Sequence, residues 1–313
     1  MNIQPKVAII ILNWNSYNDT SECLESLGKM HYKNYHVFLA DNDSKDGSFE
    51  SLKKEYQENK YSSNITFIQT GSNLGFAGGN NVAIKKAYEN GFDYFWLLNN
   101  DTVVEENALI ALIENIDKSP EIGIVGSKIY YYGTNKIWFA GGKVSTSTGV
   151  AGHIGLRAVD NGQFDKVESV DYITGCSLLF RREILETVGY MNEDYFLLFE
   201  ETEWNIRIKQ KGYKILYIPD SIIYHKVSIS SGGENNIAPY AAYYEIRNGY
   251  VMVDRTQPSY YKIPAFCAML FKAMKKHVKI LLHGQDKKFV RSKYILLGVI
   301  HGIQKKMGKH PNY

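Results

Sequence analysis

Over its first hundred residues the chain sets short apolar runs between longer polar stretches of helical composition. Val7–Leu12 is a continuous apolar run of strand length, and Val37–Ala40, Ile65–Gln69 and Tyr94–Leu98 repeat the signal. The intervals read as helices near Ser21–Lys29, around Phe49–Asn59, over Ala77–Asn90 and near Glu106–Lys118. Thr20 or Ser21 suits the first helix as N-cap, and Gly91 suits the third as its stop. This β-α-β-α order predicts an α/β fold with a mostly parallel central sheet flanked by helices. Ligands of such sheets bind at the carboxyl ends of the strands.

The pattern loosens over about 120–235, which is richer in glycine. Val170–Ile173 and Ser177–Phe180 read as strands around Gly175, and Glu201–Lys211 as a helix ending at Gly212. Lys214–Ile218 reads as a strand stopped by Pro219, and Ile222–Tyr224 runs into His225. From Pro239 onward the pattern is helical. The expected division is 1–238, with halves at about 1–120 and 121–238, followed by a helical extension over 239–313.

Charge changes this picture at the C-terminus. The net charge is +3, but residues 259–313 carry twelve Lys or Arg and one acid, Asp286, leaving 24 basic and 32 acidic residues in 1–258. A basic tail on a mildly acidic body implies a partner of its own. Within it Phe266, Leu270, Met274, Val278 and Leu281 share one helical stripe, with Lys272, Lys276, Lys279 and His283 on another face. Such a helix either lies in an anionic membrane surface or packs its stripe on the body and exposes its lysines. No recognition motif points to nucleic acid. Cys23, Cys176 and Cys267 are scattered and odd in number, which argues against a disulfide framework. With neither a signal peptide nor an apolar run of about 18 residues, the expectation is a cytoplasmic protein, peripheral at most on the inner membrane.

The chemistry-bearing residues cluster where the strands end. Asn13-Trp14-Asn15 follows the first strand, Asp41-Asn42-Asp43 the second and Asn99-Asn100-Asp101 the fourth. Each alone serves equally as an Asx-rich turn; three at one sheet edge argue for a site. Asp101, assisted by Asn99, suits a hard divalent cation whose remaining ligands come from a diphosphate. A strand-end carboxylate such as Asp41 can accept the imide N–H of a pyrimidine base. Asn73–Asn81 (NLGFAGGNN) puts Gly75 and Asn80 just before a helix, where backbone approaches a phosphate or sugar closely. It is neither GxGxxG nor GxxxxGK[ST]. Glu200, Glu201 and Glu203 open a helix; the helix dipole favours acids there. Three within four positions exceed what capping needs, and one of them is a candidate general base. His225 stands beside a Ser/Gly-rich run, 228–233, suited to closing over a diphosphate.

In this order the segments VAIIILNWN (7–15), ADNDSKDGS (40–48), NLGFAGGNN (73–81), WLLNNDTV (96–103), YITGCSLLFRR (172–182), YFLLFEETEW (195–204), His225–Gly233 and Arg247-Asn248 resemble the inverting family 2 glycosyltransferases of GT-A fold, in particular their bacterial rhamnosyltransferase-like members. The resemblance implies a dTDP- or UDP-sugar donor, held by Asn13, Asn15, Asp41, Asp43, Gly75, Asn80 and Asn100. It implies Mg²⁺ or Mn²⁺ at Asp101 with Asn99 and His225, in the place of the family's DxD. Glu201 falls at the catalytic carboxylate, the second residue of an ED pair, and Gly175, Glu203 and Trp204 fall near the acceptor. The acceptor would be a saccharide or a polyprenyl-linked saccharide of surface polysaccharide synthesis. Asn99 departs from the usual first Asp, and Glu201 from the commoner Asp. A nucleotidyltransferase would show a basic glycine-rich loop after the first strand, where Asn13-Trp14-Asn15 stands. A non-catalytic nucleotide-sugar-binding subunit would have lost the base that Glu201 retains.

Overall fold

The computed structural model describes residues 4–57, 64–227, 238–282 and 287–310. Its first half alternates β1 (Val7–Asn13), α1 (Tyr17–Lys29), β2 (Tyr35–Asp41), α2 (Ser48–Gln57), β3 (Ile65–Gln69), α3 (Gly75–Glu89), β4 (Tyr94–Asn99), β5 (Thr102–Val104) and α4 (Ala108–Ile116). Then come β6 (Ile122–Tyr131), β7 (Ile137–Phe139), β8 (Gly142–Ser145), β9 (Val150–His153), β10 (Glu168–Ser169), β11 (Ser177–Arg181), α5 (Glu183–Thr187), α6 (Glu200–Gln210) and β12 (Lys214–His225). Three helices close the chain: α7 (Pro239–Thr256), α8 (Lys262–Leu282) and α9 (Lys288–Gln304).

The main sheet is ordered β10-β12-β6-β11-β4-β1-β2-β3. β3, β2, β1 and β4 are mutually parallel, and β6 and β12 share their direction because β11 runs antiparallel between β4 and β6. β1 is apolar from Val7 to Leu12 because helices cover both faces of a central parallel strand. The order reverses at β1, since β2 lies on one side and β4 on the other. That reversal opens a crevice at the carboxyl ends of β1 and β4.

Several boundaries differ from expectation for identifiable reasons. α1 starts at Tyr17, so Thr20 and Ser21 lie buried inside it rather than capping it. Val170–Ile173, expected as a strand, lies outside β10 (Glu168–Ser169); the Asn205 side chain accepts from Ile173 N (3.1 Å) and donates to Ile173 O (3.2 Å), replacing a neighbouring strand. β12 continues through Pro219, which sits where the register with β6 shifts between Ile218 and Ile222. The Ser/Gly-rich run of 228–233 lies outside the described residues.

The C-terminal helices do not pack the apolar stripe on the body. α8 buries Ala265, Met269, Ala273 and Ile280, while Leu270, Met274, Val278 and Leu281 are exposed and Phe266 is half-buried. Lys272 and Lys276 are drawn inward to the Glu245 carboxylate on α7, at 2.9 and 2.6 Å. Lys272 and Lys276 therefore face the body, while Lys279 is exposed and the apolar stripe faces outward.

Candidate functional site

The three polar strand ends form one hydrogen-bonded network. Asn13 Nδ2 donates to Asp41 Oδ2 at 2.7 Å, and the Thr20 hydroxyl donates to Asn13 Oδ1 at 2.8 Å. Asn100 Nδ2 donates to that same Thr20 hydroxyl at 2.8 Å. β1, β2 and the turn after β4 are thereby tied through a threonine that sequence reading valued only as a cap. Asn15, at φ 51°, receives the Lys45 N–H on its side-chain oxygen and gives its own N–H to Ser44 Oγ, buckling the first loop to the second. Asp43 also takes a left-handed φ of 65° and pairs with Lys45 at 2.7 Å.

Asp41 is fully buried and already saturated. Its carboxylate accepts from Asn13 Nδ2, Ser44 N, Ser44 Oγ and Gln69 Nε2, all within 3.0 Å. A carboxylate has about four lone-pair sites. A base imide therefore reaches it only by displacing one of these donors. Ser44 and Gln69 are contributors the motifs did not flag.

At the mouth of the crevice lies an open cavity of ≈ 320 Å³. Asn80, Asn99, Asn100, Asp101 and His225 line its polar side, and Leu12, Phe76, Leu98, Trp138, Leu197 and Val227 its apolar side. β5 pairs with the end of β12, setting Thr102 opposite His225 and bringing Asp101 Oδ1 to 3.1 Å from His225 Nε2. Both side chains are buried. The nearby Asp101 carboxylate and the buried Cys176 thiol hold the His225 imidazole well above its ordinary pKa, against the opposing effect of burial. Trp138, on β7, stacks edge-on against His225 with centroids 4.3 Å apart and against His153 at 4.6 Å. It was missed because β7 is three residues long and carries no motif.

A carboxylate and, once a cation displaces its proton, an imidazole facing one cavity are two donors of the kind a divalent cation accepts when diphosphate and water complete its shell. Among the described residues no group of three or more His, Cys, Asp or Glu side chains gathers as a self-sufficient metal site. The donor set fits a cation shared with a ligand, not a structural one.

Gly75 opens α3 at φ +75°; a Cβ there would stand 2.2 Å from the Phe196 carbonyl oxygen. A Cβ on Gly175 would stand 2.6 Å from the Phe76 ring, so this glycine makes room for a cavity wall. Asn80 donates to Phe76 O at 2.9 Å and turns its flank to the cavity.

Glu200 and Glu201 open α6 behind Phe196, Leu198 and Phe199, all at positive φ. Glu200 is buried, and burial with the adjacent Glu201 charge raises its pKa well above the usual carboxylate range. Burial pushes Glu201 up to about 7. Burial, and after it the Glu201 charge, raises the Tyr172 hydroxyl. Glu201 does not line the cavity; Leu197, four residues earlier, does.

The other two residues of that helix face away. Both Glu203 oxygens accept from Arg207 Nε at 2.9 and 3.0 Å. Trp204 is fully buried, edge-on to Phe180 at 4.8 Å, with Nε1 donating to Gly189 O at 2.8 Å. Both serve the packing of α6, and the sequence pattern could not separate them from Glu201.

The model of the family described as glycosyl transferase family 2 matches residues 8–189. The chain is 24% identical over 227 residues to a poly-beta-1,6-N-acetyl-D-glucosamine synthase of Staphylococcus aureus, over 72% of this chain and 51% of that protein. It thus spans about half the length of that curated relative. Among solved structures it is similar to a mannosyltransferase from Pyrobaculum calidifontis in complex with GDP-Man and Mn²⁺, with TM-score 0.60 and 15% identity over 97% of this chain and 89% of that one. Residues 1–349 of S. aureus TarS give TM-score 0.61 and 15% identity over 96% and 82%. TarS has also been solved with UDP-GlcNAc, where TM-score is 0.60 and identity 16% over 95% and 81%. At these identities the structural likeness shows the GT-A fold alone.

Proposed function

The chain belongs to glycosyl transferase family 2 and is a glycosyltransferase, and from that premise we propose a single inverting displacement with Glu201 as the base. The observation that carries this reading is the crevice at the ends of β1 and β4, where Asp101 and His225 meet a cavity beside the loop that delivers Glu201. We place the donor on the half formed by about 1–120 and the acceptor on 121–238. Asn13, Asn15, Asp43, Gly75, Asn80 and Asn100 shape the donor side, with Asp41 holding their loops in register. Gly175 keeps the Phe76 wall back from the acceptor side.

Glu201 takes the proton from the acceptor hydroxyl as that oxygen attacks the anomeric carbon. Its raised pKa keeps it basic enough to accept the proton near neutrality. Asp101, with Asn99 and His225, would hold Mg²⁺ or Mn²⁺, which when bound supplies positive charge against the departing diphosphate. The Mn²⁺ complex of the mannosyltransferase supports a divalent ion. The UDP-GlcNAc complex of TarS supports a UDP-sugar, with dTDP-rhamnose, from the family resemblance, as the alternative. A saccharide or polyprenyl-linked saccharide is the acceptor.

The lipid-linked acceptor fits a membrane-facing side of the extension. No helix among the described residues is long and apolar enough to cross a membrane. α8 nonetheless exposes Ile263, Leu270, Phe271, Met274, Leu281 and Leu282 along one side, with Lys275 and Lys279 at its margin. Apolar side chains edged by lysines match an anionic lipid surface. Flotation with vesicles of anionic lipid, and its loss in Leu270→Glu/Leu281→Glu, checks this; equal binding to neutral vesicles, or self-association alone, refutes it.

The donor site is tested by thermal shift with UDP and dTDP, with and without Mn²⁺, on wild type and Asp101→Ala. Stabilisation that needs both the ion and Asp101 is expected. No stabilisation by either nucleotide refutes the assignment.

A further inference from the structure

Arg247 and Asn248, on α7, belong to no part of the chemistry above, yet both are fully buried. Among the described residues Arg247 meets no carboxylate. Its guanidinium donates to the Tyr195 carbonyl at 3.0 Å, the Gly308 carbonyl at 2.9 Å and the Tyr243 hydroxyl at 2.9 Å. Its Nε donates to Asn248 Oδ1 at 2.7 Å, which aims the other end of that amide. Asn248 Nδ2 then faces three carbonyls of one loop: Tyr195 at 3.2 Å, Leu197 at 2.8 Å and Leu198 at 2.8 Å.

This loop is the strained one. Phe196, Leu198 and Phe199 take φ of 65°, 67° and 74°, a region L side chains rarely adopt. Such a conformation persists only where its surroundings over-determine it. Three consequences for the site leave from the same few residues. The Phe196 carbonyl accepts the Phe76 N–H at 2.8 Å beside Gly75. Leu197 lines the cavity. Phe199 leads directly into Glu200 and Glu201.

We propose that Arg247 and Asn248 are positioning residues: they hold the 195–199 loop in the conformation, left-handed at Phe196, Leu198 and Phe199, that sets Leu197 against the cavity and leads the chain into Glu201. The helical extension is then a working part of the site, because Arg247 anchors the loop to the chain end through Gly308. The proposal rests on the reading of Glu201 as the base.

The test compares wild type, Asn248→Ala, and Asn248→Ala/Leu198→Asn. Asparagine tolerates the left-handed region better than leucine does, so it replaces part of what the lost amide imposed. Hydrogen exchange of the 195–200 peptide is followed together with UDP release from UDP-N-acetylglucosamine in Mn²⁺. In Asn248→Ala, exchange is expected to rise at least tenfold in that peptide, and kcat to fall about a hundredfold with KM for the donor within threefold. The double variant should recover at least tenfold of the loss. Unchanged exchange, kcat within threefold of wild type, or a double variant no better than the single overturns the proposal. If the alanine variant does not fold, Arg247→Lys is read by the same measurements. Glu201→Gln run in parallel separates the two claims: full activity there removes the base, while the exchange readout still decides the clamp.

Discussion

Rate should depend on pH through Glu201 in a way its burial fixes in advance. Burial raises its pKa from an ordinary value near 4.5 to about 7. With a midpoint near 7, about one tenth of the enzyme is ionised at pH 6 and about nine tenths at pH 8, so kcat should rise roughly tenfold across that interval. With the ordinary value, the carboxylate is nearly fully ionised by pH 6 and the profile is flat. Burial, and after it the Glu201 charge, raises Glu200 as well. The stability sign follows from the same shift. A carboxyl whose pKa is higher folded than unfolded favours the folded state below about pH 4.5, and that contribution is lost as pH rises through about 7. The assay is UDP release over pH 5.5–8.5 at saturating donor and Mn²⁺, on wild type and Glu201→Gln. Removing a general base should cost about 10²- to 10⁴-fold and abolish the limb. A flat profile over this range, or Glu201→Gln within threefold of wild type, would refute the assignment.

Two substitutions probe the scaffold of the donor side. Gly75→Ala puts a Cβ 2.2 Å from the Phe196 carbonyl at φ +75°; the left-handed backbone alone costs about 1–2 kcal/mol, and relieving the clash breaks the Phe76 N–H bond, so both Tm and turnover should fall. Asp41→Asn turns an NH₂ toward two of four donors, for a loss of about 2–3 kcal/mol by urea unfolding; an unchanged midpoint would show that the loops do not depend on that carboxylate.

The sheet was legible because its chemistry is local. A parallel strand covered on both faces must be continuously apolar, so β1, β2 and β4 announced themselves, and polar residues at their carboxyl ends marked the open edge. The alternation and the edge together fixed the α/β class and the location of Asn13, Asp41 and Asp101. Periodicity could not say which member of a polar run is inward. Glu201, Glu203 and Trp204 are adjacent in sequence, but Arg207 claims Glu203 and the Phe180 face claims Trp204. Thr20 read as a cap because its partners, Asn13 and Asn100, are 7 and 80 residues away. Trp138 carried no local signal at all. The tail shows the same limit: its apolar and basic stripes were both visible, but only Glu245 on a neighbouring helix decides which one turns inward. Apolar and polar spacing along one chain determines which faces exist; which of them is covered depends on charges and surfaces brought from elsewhere in the sequence.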